Sequence, residues 1–488
     1  MPRLPQPGPY CPETAILALG PDFYDPVEAA DFPQAVLRFR NDRQAATVGL
    51  EALSDDEWIR HFARFEPLPD NLPEPLALRY HGHQFRVYNP DIGDGRGFLF
   101  AQLRDAQGRL LDLGTKGSGQ TPYSRFGDGR LTLKGAVREL LASEMLEALG
   151  AETSKTFSLT ETGEPLERND EPSPTRSAVL VRLQHSHIRI GTFQRLATLG
   201  EADNIAKLTD YCLRHYYPET RHCEERSDEA IQSGTASETG LLRSARNDDS
   251  SEPAVRLLGA VAGTTARLAA SYIAAGFVHG VLNSDNIAIT AQSFDYGPWR
   301  WTPFWDGGFT AAYFDHQGLY AFARQPEAIH WDLVQLARAL TAVAEADALT
   351  GELERFAGLF RQALRDALFA RLGILPRDLD EDMVLIAAIE EALSAQRVTI
   401  DRFFFDWRGG RAREGYDDFG PVRALVDRYQ AVPGALDHPY WSDPEPCSMH
   451  IEEVEAIWAA IEADDDWSLL HDKIAAVRRM GEALSANA

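Results

Sequence analysis

The chain has 488 residues, and 44% of them are hydrophobic, which is enough for a sizeable core and too many for a disordered chain. Its formal charge of −26 disfavours non-specific nucleic-acid binding, which needs basic surface. The four cysteines, Cys11, Cys212, Cys223 and Cys447, suit neither a zinc site nor a disulfide framework, and point to a reducing cytoplasm. Met1–Gly20 lacks a basic stretch followed by an apolar run, and no 18 consecutive residues are apolar, so neither a secretory signal nor a membrane span is expected.

Residues 1–75 are rich in Pro, Asp and Phe and read as an extended arm. A short helix is expected near Ser54–Phe65, with Ser54 as N-cap and Glu57 at the capping-box position. Phe98–Arg104 and Leu110–Lys116 read as two strands joined by a turn at Asp105–Arg109. Leu131–Leu149 reads as a helix, because Val137, Leu140, Leu141, Met145 and Leu149 recur at three- and four-residue steps before Gly150. Strands follow at Thr156–Thr160 and Ala178–Leu183. After that the pattern turns helical. Ala254–Ala275, Glu327–Glu345, Glu352–Leu372, Glu381–Ala395, Ile451–Ala463 and Trp467–Leu484 are the expected helices. Between them, 218–253 is polar, charged and without apolar periodicity. It reads as an exposed insertion, and Cys223 inside it is given no role.

The loop His279–Asn286 (HGVLNSDN) carries the most chemistry. A protein-kinase catalytic loop keeps its base two residues after His and a metal-binding Asn seven after. Here Asn286 stands in the second place, but Val281 occupies the first and cannot take a proton. Asp285 is the nearest carboxylate. Nine residues beyond Asn286 lies Asp295-Tyr296-Gly297, similar to the metal-binding triplet of kinases. Asn286 and Asp295 supply the oxygen ligands that a hard ion such as Mg²⁺ takes; the plainer reading is that this loop only builds a turn. Lys116 ends a strand, where a kinase places its phosphate-binding lysine, and Glu139 on the following helix suits it as ion-pair partner. GDGR occurs at Gly93–Arg96 and again at Gly127–Arg130. Its glycines admit backbone N–H groups to a phosphate and its Arg can fork onto phosphate oxygens, though Gly-Asp-Gly is also ordinary turn chemistry. Arg182 and Arg189 add two cations, which could as well be surface or salt-bridge residues. His81 and His83 lack a third ligand nearby and read as structural rather than metal-binding.

Taken together, YHGHQF (80–85), GDGRG (93–97), KGSGQTPYSR (116–125), GDGR (127–130), SHIRIGTFQ (186–194), GVLNSDN (280–286) and DYGP (295–298) resemble the selenoprotein O family, known in bacteria as SelO or YdiU-type proteins. The resemblance implies an α+β, protein-kinase-like two-lobed fold with an N-terminal extension (1–75), a small lobe (76–185), a helical lobe (186–345) and additional C-terminal helices (346–488). It implies a pseudokinase that transfers AMP from ATP to Ser, Thr or Tyr hydroxyls of proteins, with ATP flipped relative to a kinase. It assigns Lys116, Arg182 and Arg189 to the phosphates, and Gly93, Gly95, Arg96, Asp128 and Gly129 to the nucleotide site. Glu139 would pair with Lys116, Asn286 and Asp295 would hold Mg²⁺ (or Mn²⁺), with Asp295 also lining the nucleotide site, and Asp285 would be the general base. ATP and hydroxyl-bearing protein substrates are the expected partners of a monomer, with no nucleic acid and no membrane. The chain departs from the family in two places. Its tail offers only Cys447 where eukaryotic members carry selenocysteine, and Trp299–Phe314 lacks the expected wording, leaving Asp315 and His316 as an adjacent pair. An atypical kinase using Asp285, or a nucleotide-binding scaffold without catalysis, are the competing readings.

Overall fold

The structure is a computed structural model that describes residues 6–125, 127–169, 171–218, 252–413 and 415–486. Most of the stretch read as an insertion, 219–251, lies outside the described residues, and Cys223 with it. The fold is mixed α+β. One antiparallel sheet is built from β1 (Pro12–Glu13), β2 (Tyr24–Pro26), β3 (Val36–Arg40), β4 (Leu76–Leu78), β7 (Leu99–Arg104), β8 (Leu110–Lys116), β9 (Leu131–Thr132), β10 (Lys155–Leu166) and β11 (Thr175–Gln184). A separate hairpin of β5 (Gly82–Gln84) and β6 (Val87–Asn89) stands beside it.

The main path of the sheet runs β2-β4-β7-β8-β11-β10-β3. The expected hairpin is its centre: Asp105 closes the turn by accepting from the backbone N–H groups of Gln107 and Arg109. The N-terminal arm also contributes strands to the sheet. Its strands β2 and β3 form the two ends of that path, and so cap the N–H and C=O groups that sheet edges leave unpaired. The expected short helix is Asp55–Phe62, with its capping box intact. It covers one sheet face through Trp58, which stacks on Phe157 at 4.9 Å and donates its indole N–H to Ser158 Oγ at 2.9 Å.

The other sheet face packs on the helix Leu133–Ala148 through Leu140, Leu141 and Met145. The same core continues into the helical half, around Pro253–Ala275 and Gln325–Leu340. By length and composition Pro253–Ala275 could cross a membrane; 67% of its most apolar window is buried inside the fold, as expected of a core helix. A second core gathers Phe369, Leu385, Phe403, Trp407 and Phe419 of the C-terminal half.

The last helix, Ser468–Ser485, returns to the helix Leu133–Ala148. Gly481 permits the close approach, since a Cβ there would sit 3.1 Å from Ala148 Cα. Arg478 forks onto both oxygens of the buried Glu144 at 2.8 Å each. Arg478→Met would leave that carboxylate with only the more distant Asn41 at 3.4 Å and Arg43 at 3.7 Å, so it is expected to cost about 3 kcal/mol in chemical denaturation, with most of the loss restored by Glu144→Leu in the same chain. An unchanged midpoint in the single variant would show that the pair carries no weight.

Candidate functional site

Strand alternation sets the floor of the site. Arg182 on β11 lies opposite Gly114 on β8, two residues before Lys116, so Arg182 and Lys116 emerge on the same sheet face. The bare backbone at Gly114 leaves the space that the His187 ring fills; a Cβ there would fall 1.7 Å from its Nε2. His187 is held from behind by Asp112, which accepts from its backbone N–H at 2.8 Å and lies 3.3 Å from Nδ1.

Above this floor opens a cavity of about 660 Å³. Gly93, Gly95, Arg96, Lys116, Asp128, Gly129, Arg182, Arg189, Asp285 and Asp295 all line it. The two GDGR segments meet there around Tyr123: a Cβ on Gly93 would strike its ring at 2.4 Å. Gly129 turns through left-handed φ of +68°, against the carbonyl of Gly119. These glycines therefore serve local packing as well as any ligand. Asp128 is tied at the rim to Arg168 at 2.7 Å. Glu139 and Asn286 stand just behind the lining. Glu139 pairs with Lys116, and the Asn286 amide donates to the Val281 carbonyl at 3.1 Å.

Lys116 is buried between two carboxylates, Glu139 and Asp295, the latter at 2.6 Å. Burial draws its ammonium below the ordinary range, and Asp295 pulls the other way. For Asp295, burial acts to raise the carboxyl, but Lys116, Arg96 and Arg182 together hold it well below the usual carboxylate range. Its backbone has φ of +63°. The preceding Phe294 carbonyl is held by His279 Nε2 at 2.9 Å, so the histidine of the 279–286 loop fixes the turn that presents Asp295.

The two arginines are equally confined. Arg189 reaches Asp94 at 3.1 Å and the Asp285 carbonyl at 2.8 Å. Its guanidinium lies over Tyr80 at 4.3 Å and over Phe294 at 4.8 Å. Arg182 also lies over Phe294, at 5.0 Å, and burial pushes it down to about 10. Among the described residues, Arg182 Nε and Nη1 have no hydrogen-bond partner. A buried cation with unspent donors suits an anion such as phosphate.

Asp285 forms the opposite wall. Burial pushes its carboxyl up to about 6, with Arg189 opposing, and Gln84 lines the same cavity. Gln84 belongs to the β5–β6 hairpin, which docks on the same loop. The His83 N–H donates to Ser284 Oγ at 2.8 Å and the Phe85 N–H to Asn283 Oδ1 at 3.0 Å. Sequence reasoning missed Gln84, Tyr80, Asp94 and Phe294. Each stands inside or next to a motif it had singled out, but their partners lie far away along the chain. His81 and His83 contact Tyr88 and Gln194, and no cluster of three metal-ligating side chains occurs among the described residues.

The family model for protein adenylyltransferase SelO matches residues 10–423. The protein nucleotidyltransferase YdiU of Synechocystis is 40% identical over 95% of this chain and 96% of its own length. The protein of the same name from Gloeobacter violaceus is 40% identical over 96% of this chain and 95% of its own.

The raised Asp285 pKa has a consequence for stability. From an ordinary value of 3.8 to about 6, the unfolded chain loses this proton before the folded one does. Stability therefore falls as pH rises through that window, and a cost of roughly 3 kcal/mol stands at neutral pH. Asp285→Asn is expected to raise the unfolding midpoint at pH about 7.5, with the gain fading toward pH about 4. An equal gain at both pH values would show that ionisation is not the cause.

Proposed function

The chain belongs to the SelO family of protein adenylyltransferases, and from that premise we propose that it transfers AMP from ATP to Ser, Thr or Tyr hydroxyls of other proteins, releasing pyrophosphate. The sheet-bearing and helical halves read as the two lobes of a kinase-like fold, with the cavity between them as the nucleotide site. The observation that carries the reading is one cavity with three buried cations, Lys116, Arg182 and Arg189, facing a carboxyl group poised near neutrality, Asp285.

The steps follow from the residues. Lys116, Arg182 and Arg189 hold the phosphates, and the unspent Arg182 N–H groups receive their oxygens. Gly93, Gly95, Arg96, Asp128 and Gly129 border the remainder of the nucleotide. The acceptor hydroxyl attacks the α-phosphorus, the bond to the β-phosphate oxygen breaks, and the hydroxyl proton passes to Asp285. A base near 6 is mostly ionised at neutral pH and still close enough to it to work efficiently. Uncharged Val281 leaves the usual base position of a kinase free for a phosphate group.

Asn286 and Asp295 fit a hard divalent cation. Asp295 is firmly anionic, and the Asn286 amide nitrogen is turned onto the Val281 carbonyl, which leaves its oxygen to accept. These two residues would hold Mg²⁺ or Mn²⁺, which supplies charge neutralisation for the phosphates when bound.

The test uses ATP labelled at either the α or the γ phosphorus, with soluble cell protein as acceptor. Acceptor-bound label is expected from α only. Label from γ alone would make the protein a kinase, and neither label with nucleotide still bound would make it a scaffold. Asp285→Asn is expected to bind ATP while losing about 10²–10⁴-fold in transfer. Asp295→Ala should abolish transfer, and near-normal rates would remove Asp295 from the metal site.

A further inference from the structure

Beside the candidate base, the surface is apolar. Val87 on the β5–β6 hairpin is 69% exposed, and Tyr313 and Phe314 in the loop after Trp299 are 83% and 42% exposed. Exposed aromatic groups gathered at one place mark a binding surface more often than isolated ones do. Here they are joined ring to ring. Tyr313 meets Phe314 at 5.1 Å, Phe314 meets Phe85 at 5.7 Å, and Phe85 meets Tyr320 at 5.1 Å.

This shelf is anchored on the 283–286 loop. Asn283 Oδ1 accepts from both the Phe85 N–H and the Tyr320 hydroxyl, the latter at 2.7 Å. Asp315 holds the loop below by accepting from the N–H groups of Leu319 and Tyr320, each at 2.8 Å. The hairpin that exposes Val87 also carries Gln84, which lines the same cavity as Asp285. The shelf is thus continuous with the wall of the cavity where a hydroxyl would be activated. Its rim is partly paired: Arg86 and Arg324 share Glu327, at 3.1 and 3.3 Å, which leaves one net positive charge. Such a surface offers apolar contact and little charge.

We propose that the shelf of Phe85, Val87, Tyr313 and Phe314 is the docking surface for the acceptor polypeptide, and that it selects a hydroxyl residue flanked by bulky apolar side chains. This rests on the transferase reading of the adjoining cavity. The occupant follows from position, since the acceptor is the polypeptide that must come within bonding reach of Asp285. Burial of one large apolar side chain is worth about tenfold or more in affinity, which sets the size of the preference.

The test compares two synthetic peptides, each with a single Ser, one flanked by Leu and Phe and the other by Gly, using α-labelled ATP and Mg²⁺. The wild-type protein is expected to use the apolar peptide with a kcat/KM about tenfold or more higher, through a lower peptide KM. The variant V87S/Y313S/F314S, altered only at exposed positions, should lose that preference and keep the wild-type KM for ATP and the wild-type rate on the Gly-flanked peptide. A wild-type protein without preference, or a triple variant that retains it, would overturn the docking surface while leaving the transferase intact. Absence of α label on every acceptor, cell protein included, would overturn the transferase reading and the surface with it.

Discussion

The ion-pair chain Glu139–Lys116–Asp295 is the constraint on which the rest of the site depends. It joins three elements that are remote in sequence: the end of β8, the helix Leu133–Ala148 and the turn after Phe294. A lysine ammonium buried alone would give up its proton, and two buried carboxylates without it would repel each other. The chain therefore forms only when the sheet, the helix and the turn are all in place. Each of the three has its own support. β8 is fully buried within the sheet, the helix is braced by Arg478 through Glu144, and the turn is pinned by His279 through the Phe294 carbonyl.

The C-terminal helix acquires a place in this scheme. Residues after 345 carried no motif, and sequence reasoning could assign them only as helices. Their apolar periodicity was legible because it depends on neighbours three and four positions apart. Their role was not, because the Arg478–Glu144 contact joins residues more than 300 positions apart. The same reason separates what was legible elsewhere. The hairpin of β7 and β8 follows from a local turn, and Leu110–Lys116 has the bounds its residues suggested. The edge strands β2 and β3 are short and pair with distant partners, so the N-terminal arm read as an extended segment without its strands.

Within the site, the legible residues were those whose neighbours in sequence form a pattern: Lys116 at a strand end, Asn286 and Asp295 at fixed distances from His279. Arg182 and Arg189 could not be told from surface arginines without the family resemblance. Their burial over Phe294, and the contact of Arg189 with Asp94, are facts of packing. Asp94 itself stood inside GDGR, but nothing local indicated that its carboxylate would face an arginine 95 positions away.

Asp285 is the instructive case, because its character comes from its surroundings rather than its type. Its neighbours in sequence are Ser284 and Asn286, and a carboxylate between them in an open turn would be ordinary. Packing of the β5–β6 hairpin onto the loop encloses it: a Cβ on Gly82 would lie 2.9 Å from the Asp285 Cβ. That enclosure raises the proton affinity of the carboxyl to the range in which a base is useful. The replacement of a kinase's usual acidic position by Val281 and the enclosure of Asp285 by the hairpin then belong to one arrangement. The first puts no acidic group two residues after His279, and the second encloses the loop's carboxylate four residues further along.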